Sequence, residues 1–501
     1  MNRTDAIETP QRWREMTRVR EQKSISFITL GCAKNEVDSE RMQALLRNAG
    51  FTISDDVEYS DAVVINCCSF ITEATEEAIA TILEVAGLSH YAKGSGRIIV
   101  AGCLPSRYGD ELASEFPEVA AFVACDREDD IVEILCQALG LFGGEAPRAG
   151  QDDFIGLFGG ETPRAGQAGF LRTTTAPWAY VKIADGCDRF CSYCTIPLIK
   201  GRYMSRSAEE ILAEVAGLVE GGVREIILIA QDTGIWGHDL MPGSGTPAMP
   251  GGEVPAMPGS GTPAIRDLAD LLENLAASFP HTWFRVMYLQ PEGIGERLLD
   301  VMAAFDNICN YLDIPLQHAN ARVLREMNRN GSGEEYLRLL ERIREKLPDV
   351  ALRTTLIAGF PGESRQEAAE LEHFIEQAAF DYVGIFAYSR EDGTAAGERR
   401  DQVPLRTRKA RMQRLRDLAD AIGFKKTAER LGFTEQVLVI GYDEDASDDP
   451  FPLLGRTKRQ APEVDGMIHL DKGSIGELLS ATIVQAYCYE MDGKALDKHD
   501  E

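Results

Sequence analysis

The chain has 501 residues, 44% hydrophobic and 26% charged, which supplies core enough for two to four globular domains. Its formal net charge of -28 argues against a large phosphate-tracking surface, since nucleic-acid binding relies on Lys and Arg displacing counterions, and favours a basic or proteinaceous partner. No run is apolar for the length of a membrane span and residues 1–24 lack the apolar stretch of a signal peptide, so a cytoplasmic protein is expected, whose 11 cysteines point to metal or redox chemistry rather than disulfides.

Residues 1–23 read as a flexible tail. Three apolar, β-branched runs follow, and each ends at a cysteine: "SISFITLGC" at Cys32, "DAVVINCC" at Cys67 and Cys68, and "RIIVAGC" at Cys103. Helical patterns, "EVDSERMQALLRNAG" and "ATEEAIATILEVAG", lie between them, so residues 24–139 read as strand-helix alternation with a parallel sheet. In such sheets ligands gather at the carboxyl ends of the strands. Cysteines from three strand tips can converge there on a shared metal or cluster, with only one of Cys67 and Cys68 needed.

In residues 140–172, "GLFGGE" and "PRAGQ" recur after 16 residues, and "MPGSGTPA" recurs with the same period between residues 241 and 264. Two Gly/Pro-rich copies are too few and too poor in core residues for a solenoid; the first reads as an expanded linker and the second as an expanded surface loop. Over residues 173–404 strand and helix alternate again, with strands at "AYVKIA", "EIILIAQD", "FRVMYL", "YLDIPL", "LRTTLIAGF" and "YVGIFAYS". Six such units suggest a barrel or partial barrel with its site at the carboxyl ends of the strands, although an open doubly wound sheet gives a similar pattern. Residues 405–431 read as a helical connector. Residues 432–496 hold short alternating runs divided by Gly, Pro and Asp, as in a small all-β barrel. From Gly432 onward 15 acidic residues face 6 Lys or Arg, a poor composition for gripping a phosphate backbone.

The chemistry is most legible in "ADGCDRFCSYCTIP", where Cys187, Cys191 and Cys194 form a Cys-x3-Cys-x2-Cys array after the first strand of the second region. Three thiolates so close suit an iron–sulfur cluster or a structural zinc, and neither a disulfide nor a nucleophile accounts for all three. Three ligands to a four-iron cluster leave one iron open to a small molecule. Cys125, Cys136, Cys309 and Cys488 have no motif around them and read as packing.

"GCDRFCSYC", with an aromatic residue before the third cysteine and a strand leading in, resembles the radical S-adenosylmethionine (SAM) enzymes. "LGCAKNEVDSE", "INCCSF", "AGCLPSRY", "LIAQDTG", "LDIPLQHANARVLREMNR", "LIAGFPGE", "FAYSREDGT" and "APEVDGMIHL" follow the order seen in the methylthiotransferases of that superfamily and cover the chain from Ser24 onward. The resemblance implies an α/β protein: a Rossmann-like parallel-sheet N-terminal domain, a partial (β/α)6 TIM-like radical SAM barrel, and a small C-terminal all-β, OB-like barrel known as TRAM. It implies two [4Fe-4S] clusters, an auxiliary one on Cys32, Cys68 and Cys103 and a radical SAM one on Cys187, Cys191 and Cys194. The family's middle motif reads Asn-Thr-Cys, so Cys67 here replaces the threonine. S-adenosyl-L-methionine serves as methyl donor and as radical source, and the cluster ligands need no further catalytic side chain. Gln231, Gly359, Gly362 and Glu363 are expected beside SAM, with a plain tight turn as the other reading both of the glycine segment and of Gln231; His318 is a candidate barrel-mouth contact.

The family has a branch that modifies adenosine in transfer RNA and a branch that modifies an aspartate of small-subunit ribosomal protein uS12. "LDIPLQHA" is similar to the ribosomal-protein branch, and the acidic terminal barrel points the same way, because a basic ribosomal protein is attracted where RNA is repelled. The expected function is transfer of a methylthio group to the aspartate β-carbon, with an electron-donor protein as second partner and no membrane or dedicated transfer-RNA binding. The alternatives are a transfer-RNA adenosine methylthiotransferase and a non-catalytic iron–sulfur protein of the ribosome.

Overall fold

The computed structural model of the chain describes residues 23–141, 175–240, 265–443 and 449–497. Apart from residues 23, 140 and 141, the tail and both duplicated stretches lie outside them. The chain falls into two compact units, Met1–Thr174 with Thr195–Gly201, and Thr175–Cys194 with Arg202–Glu501.

The first unit is built on a five-stranded parallel sheet in the order β2-β1-β3-β4-β5, formed by β1 (Ser24–Thr29), β2 (Thr52–Ile53), β3 (Ala62–Cys67), β4 (Arg97–Gly102) and β5 (Val119–Ala124). All six residues of β3 are buried, because helices cover both faces of a parallel sheet and leave no solvent side for polar alternation. Its side chains alternate accordingly: Ala62 and Val64 join the core with Met42, Leu46 and Ile131, whereas Val63, Ile65 and Cys67 join that with Ile82 and Val85.

The second unit contains two three-stranded parallel sheets. One has the order β10-β9-β6 and the other β11-β12-β13, with β6 Trp178–Lys182, a short hairpin of β7 (Ala184–Asp185) and β8 (Met204–Ser205), β9 Glu225–Ile229, β10 Trp283–Val286, β11 Tyr311–Asp313, β12 Ala351–Ala358 and β13 Tyr382–Ala387. Backbone bonds from Phe284 N to Asn307 O and Cys309 N to Phe284 O, both 2.8 Å, join the two sheets into one open six-stranded half barrel. Periodicity left closure undecided; this pairing decides for the partial barrel. Five of its helices start where a side chain accepts a free backbone N–H, at Ser207, Asp267, Asn320, Ser332 and Ser364.

After the helix Leu405–Ala428 come β14 (Thr434–Tyr442), β15 (Leu453–Thr457), β16 (Ile468–Leu470), β17 (Leu478–Ala486) and β18 (Met491–Ala495), which close into a barrel ordered β14-β15-β16-β18-β17. β15 and β18, "LLGRT" and "MDGKA", went unread in the sequence because each carries a glycine in five residues and neither alternates. This barrel sits at the amino ends of the half-barrel strands. There Glu225, the first residue of β9, binds Arg285 at 2.7 Å and Arg456 of β15, and none of the three side chains exceeds 2% exposure. Both arginines together hold the Glu225 carboxyl below its ordinary range against the opposing effect of burial. Arg456 lies over the Trp178 ring at 5.0 Å and Lys458 over Trp283 at 5.5 Å. Beside them the Tyr311 hydroxyl donates to Asp465 at 2.7 Å, and burial pushes the Asp465 carboxyl up to about 6.

Candidate functional site

In the first unit the cysteines stand at the strand tips. Gly31 precedes Cys32 with φ +116°, and a Cβ there would lie 2.6 Å from Cys68 Cβ, so a glycine is what lets the tips of β1 and β3 meet. Cys32 caps the helix Ala33–Asn48, and its Sγ lies 3.2 Å from Asn35 Oδ1. Asn66 donates to Asn35 O at 2.8 Å and to Ser39 Oγ at 2.9 Å, which ties this helix to β3. Sequence reasoning missed this buried polar web; only the Asn-x3-Ser spacing on one helix face hinted at it.

β3 and β4 pair Cys67 with Gly102, so Cys68 and Cys103 are the next residue on each strand. The Cys103 thiol donates to Cys68 and draws its thiol below the ordinary value, while Phe70 N donates to the same sulfur at 3.4 Å. For Cys103 itself, Cys125 pulls the value down, but Cys68 and burial outweigh it and push it up to about 12. Cys67 faces the core instead: it is fully buried, its thiol donates to Ala101 O at 3.3 Å, and burial pushes it up to about 12. The adjacent thiols of "NCCSF" therefore have different surroundings. Cys136 and Cys309 are buried as packing, whereas Cys125 lies against Cys103. The missed signal was "VAAFVAC", a fourth apolar run ending at a cysteine.

In the second unit the loop carrying Cys187, Cys191 and Cys194 follows β6 and β7. The segment after the helix Ala321–Glu326 anchors it: Ser192 Oγ donates to Glu326 O at 2.7 Å, Ser192 N to Met327 O at 3.0 Å, and Asn328 Nδ2 to Phe190 O at 3.0 Å. Arg329 donates to Cys191 Sγ at 3.8 Å and to Pro315 O at 2.6 Å, which places a guanidinium beside the thiols. Arg189 binds Asp232 at 2.5 Å and Glu292 at 2.9 Å. The motif "REMNR" was legible as a motif but not as the anchor of a loop about 135 residues earlier in the chain, as the 134-residue separation of Ser192 from Glu326 records.

Gln231 Nε2 donates to Asp185 at 3.1 Å, and its buried Oε1 has no partner among the described residues, which leaves an acceptor at the carboxyl end of β9. Gly359 and Gly362, with φ +78° and +75°, make close approaches to protein: a Cβ would lie 2.4 Å from Arg408 Cγ and 2.5 Å from Asp401 Oδ2 respectively. Glu363 accepts Gly359 N at 2.7 Å and binds Arg411 at 2.7 Å, so its carboxylate fastens the turn. His318 is fully buried, accepts Asn320 N at 3.0 Å, and directs Nε2 to within 3.7 Å of Glu363.

Among the described residues no three His, Cys, Asp or Glu side chains converge tightly enough to hold a single metal ion. A multinuclear cluster is wider than an ion and does not require such convergence. Its sulfur-rich, anionic character fits thiols backed by Arg329 in the second unit. In the first it fits thiols facing Lys200, whose ammonium is held 3.0 Å from Asp38 with both side chains at most 5% exposed.

A half barrel with three thiols in the loop after its first strand is the architecture of the radical S-adenosylmethionine enzymes. The family models agree: Uncharacterized protein family UPF0004 matches residues 24–124, the Radical SAM superfamily residues 181–375 and the TRAM domain residues 431–496. Proteins named ribosomal protein uS12 methylthiotransferase RimO are similar over nearly the full length. That of Trichlorobacter lovleyi is 36% identical, covering 95% of this chain and 98% of its own; that of Geobacter sulfurreducens is 37% identical (94% and 98%), and that of Heliobacterium modesticaldum 40% (95% and 96%). The chain belongs to this RimO family of radical SAM methylthiotransferases. The radical S-adenosylmethionine methyltransferase TsrM from Kitasatospora setae shares the fold at 14% identity, with a TM-score of 0.51 over 75% of each chain.

Proposed function

We propose that this chain transfers a methylthio group to the β-carbon of an aspartate in ribosomal protein uS12, in the cytoplasm, with electrons from a donor protein. The observation that carries the reading is the agreement of relatives named for that substrate across 94–95% of the chain. Cys187, Cys191 and Cys194 would hold one [4Fe-4S] cluster, and Cys32, Cys68 and Cys103 an auxiliary one. When bound, these clusters and S-adenosyl-L-methionine supply the radical chemistry that an unactivated C–H bond demands and the sulfur to be transferred.

The protein's own part is positioning. Arg329, Asn328 and Met327 hold the Cys187–Cys194 loop in one shape, so the thiols are presented without a conformational search. Gln231 Oε1 offers an acceptor for a cofactor N–H, and Asp185 fixes its amide. Glu363, Arg411 and Arg408 lock the "GFPGE" turn as one wall of the same strand-end surface. Gly31 and Gly102 let the strand tips of the first unit approach closely enough to share a ligand.

Mass spectrometry of ribosomal proteins and of digested transfer RNA, from cells with and without the gene, tests the reading. A methylthio increment lost from a uS12 aspartate supports it; an increment lost from a transfer-RNA adenosine, with uS12 unchanged, refutes the substrate.

A further inference from the structure

β4 and β5 are paired so that Gly102 faces Ala124, one step before Cys103 and Cys125. Because Cys67 likewise faces Gly102, the residues Cys68, Cys103 and Cys125 form one row immediately past three register-matched positions. Cys125 is therefore the neighbour of Cys103 across the β4–β5 pairing, and its backbone is fixed there by a 2.8 Å bond from Cys125 N to Ser106 Oγ. Ser106 in turn donates to Gly102 O at 3.1 Å, so both cysteines are held by the same turn of backbone.

Four neighbouring strands, β1, β3, β4 and β5, thus each end in a thiol, while a site with one open iron takes three. Adjacent strands lie about 4.8 Å apart, so the outer two tips are separated by roughly 14 Å, more than the corners of one compact cluster span. Cys32, Cys68 and Cys103 stand on three contiguous tips and are the three ligands on the function proposed above. Cys125 is the next strand tip beyond Cys103, on the side away from Cys68.

On the reading that Cys32, Cys68 and Cys103 bind the auxiliary cluster, we infer that Cys125 is a positioning residue of that cluster, a non-ligand thiol whose S–H donates to the Cys103 sulfur. A hydrogen bond to a ligating sulfur withdraws electron density and stabilises the reduced state, so it raises the reduction potential without changing the ligand count.

The test uses the full chain with Cys187→Ala, Cys191→Ala and Cys194→Ala, reconstituted with iron and sulfide so that only the auxiliary site is loaded, with Cys125 native, Cys125→Ala or Cys125→Ser. Iron and acid-labile sulfide are measured, and the midpoint potential is titrated by electron paramagnetic resonance. The expected result is unchanged iron in all three, a lower midpoint in Cys125→Ala, and partial recovery in Cys125→Ser, whose hydroxyl can still donate. Equal midpoints in the three proteins overturn the inference. So does loss of iron or a three-iron signal in Cys125→Ala, which would make Cys125 a ligand. Failure of the background carrying native Cys125 to hold any cluster overturns instead the assignment of the auxiliary site on which the inference rests.

Discussion

Glu225→Gln removes one negative charge from between two buried guanidinium groups while keeping the side chain's volume. Arg285 and Arg456 are 0% and 2% exposed, so neither can recover hydration when its partner becomes neutral. Breaking a buried pair in this way costs about 3–5 kcal/mol; the amide keeps one acceptor oxygen, so one of the two charge-assisted bonds is lost outright and the other becomes a bond to a neutral acceptor. The triad holds two positive charges for one negative, so Arg456→Met leaves a balanced Glu225–Arg285 pair and should cost less than Glu225→Gln. Denaturant unfolding followed by tryptophan fluorescence reads this region directly, since Trp178 and Trp283 lie beneath Arg456 and Lys458. A loss below about 1 kcal/mol for Glu225→Gln, or a larger loss for Arg456→Met, would refute the reasoning.

Gly102→Ala should destabilise the first unit by about 2–5 kcal/mol, combining a strained positive φ with overpacking, because its Cβ would lie 2.3 Å from Asn66 Oδ1 and 2.8 Å from Cys67 O; thermal melting checks it. Cys68→Ala should halve the iron of the fully reconstituted chain whereas Cys67→Ala leaves it unchanged, and equal iron in the two variants would sink the distinction between them. Asp465 has a folded value of about 6 against an ordinary 3.8, so its protonated form is favoured by folding. Its contribution is full below pH 4 and is lost as pH rises to 6, about 3 kcal/mol in all. Urea midpoints of the native chain and Asp465→Asn from pH 4 to 7 should therefore shift in favour of the variant; a pH-independent difference would exclude this origin.

Strand-helix alternation and the terminal barrel were legible because burial on both faces leaves continuous apolar runs and burial on one face leaves alternation, whereas the choice of a half barrel over an open sheet came from the family resemblance and not from periodicity. Cys187, Cys191 and Cys194 were legible because they are neighbours in sequence. What joins the site from a distance was not. Glu225 reads only as a polar residue opening a strand, and nothing near it announces partners 60 and 231 residues away. Arg329 and Asn328 look like surface residues closing a helix until the fold places the thiol loop on them. Cys125 was overlooked for a different reason: "VAAFVAC" is alanine-rich and less β-branched than the other three runs, so its tip was not counted among the strand ends.

The terminal barrel is fastened at the amino ends of the half-barrel strands, whereas the Cys187–Cys194 loop leaves from their carboxyl ends. Strands of five to eight residues, such as β9 and β12, separate these ends by roughly 17–26 Å. No metabolite-sized molecule can touch both. If the acidic barrel grips what the thiol loop modifies, it does so as a distant handle, and only a macromolecule that reaches about two nanometres or more around the flank can be held in both places at once.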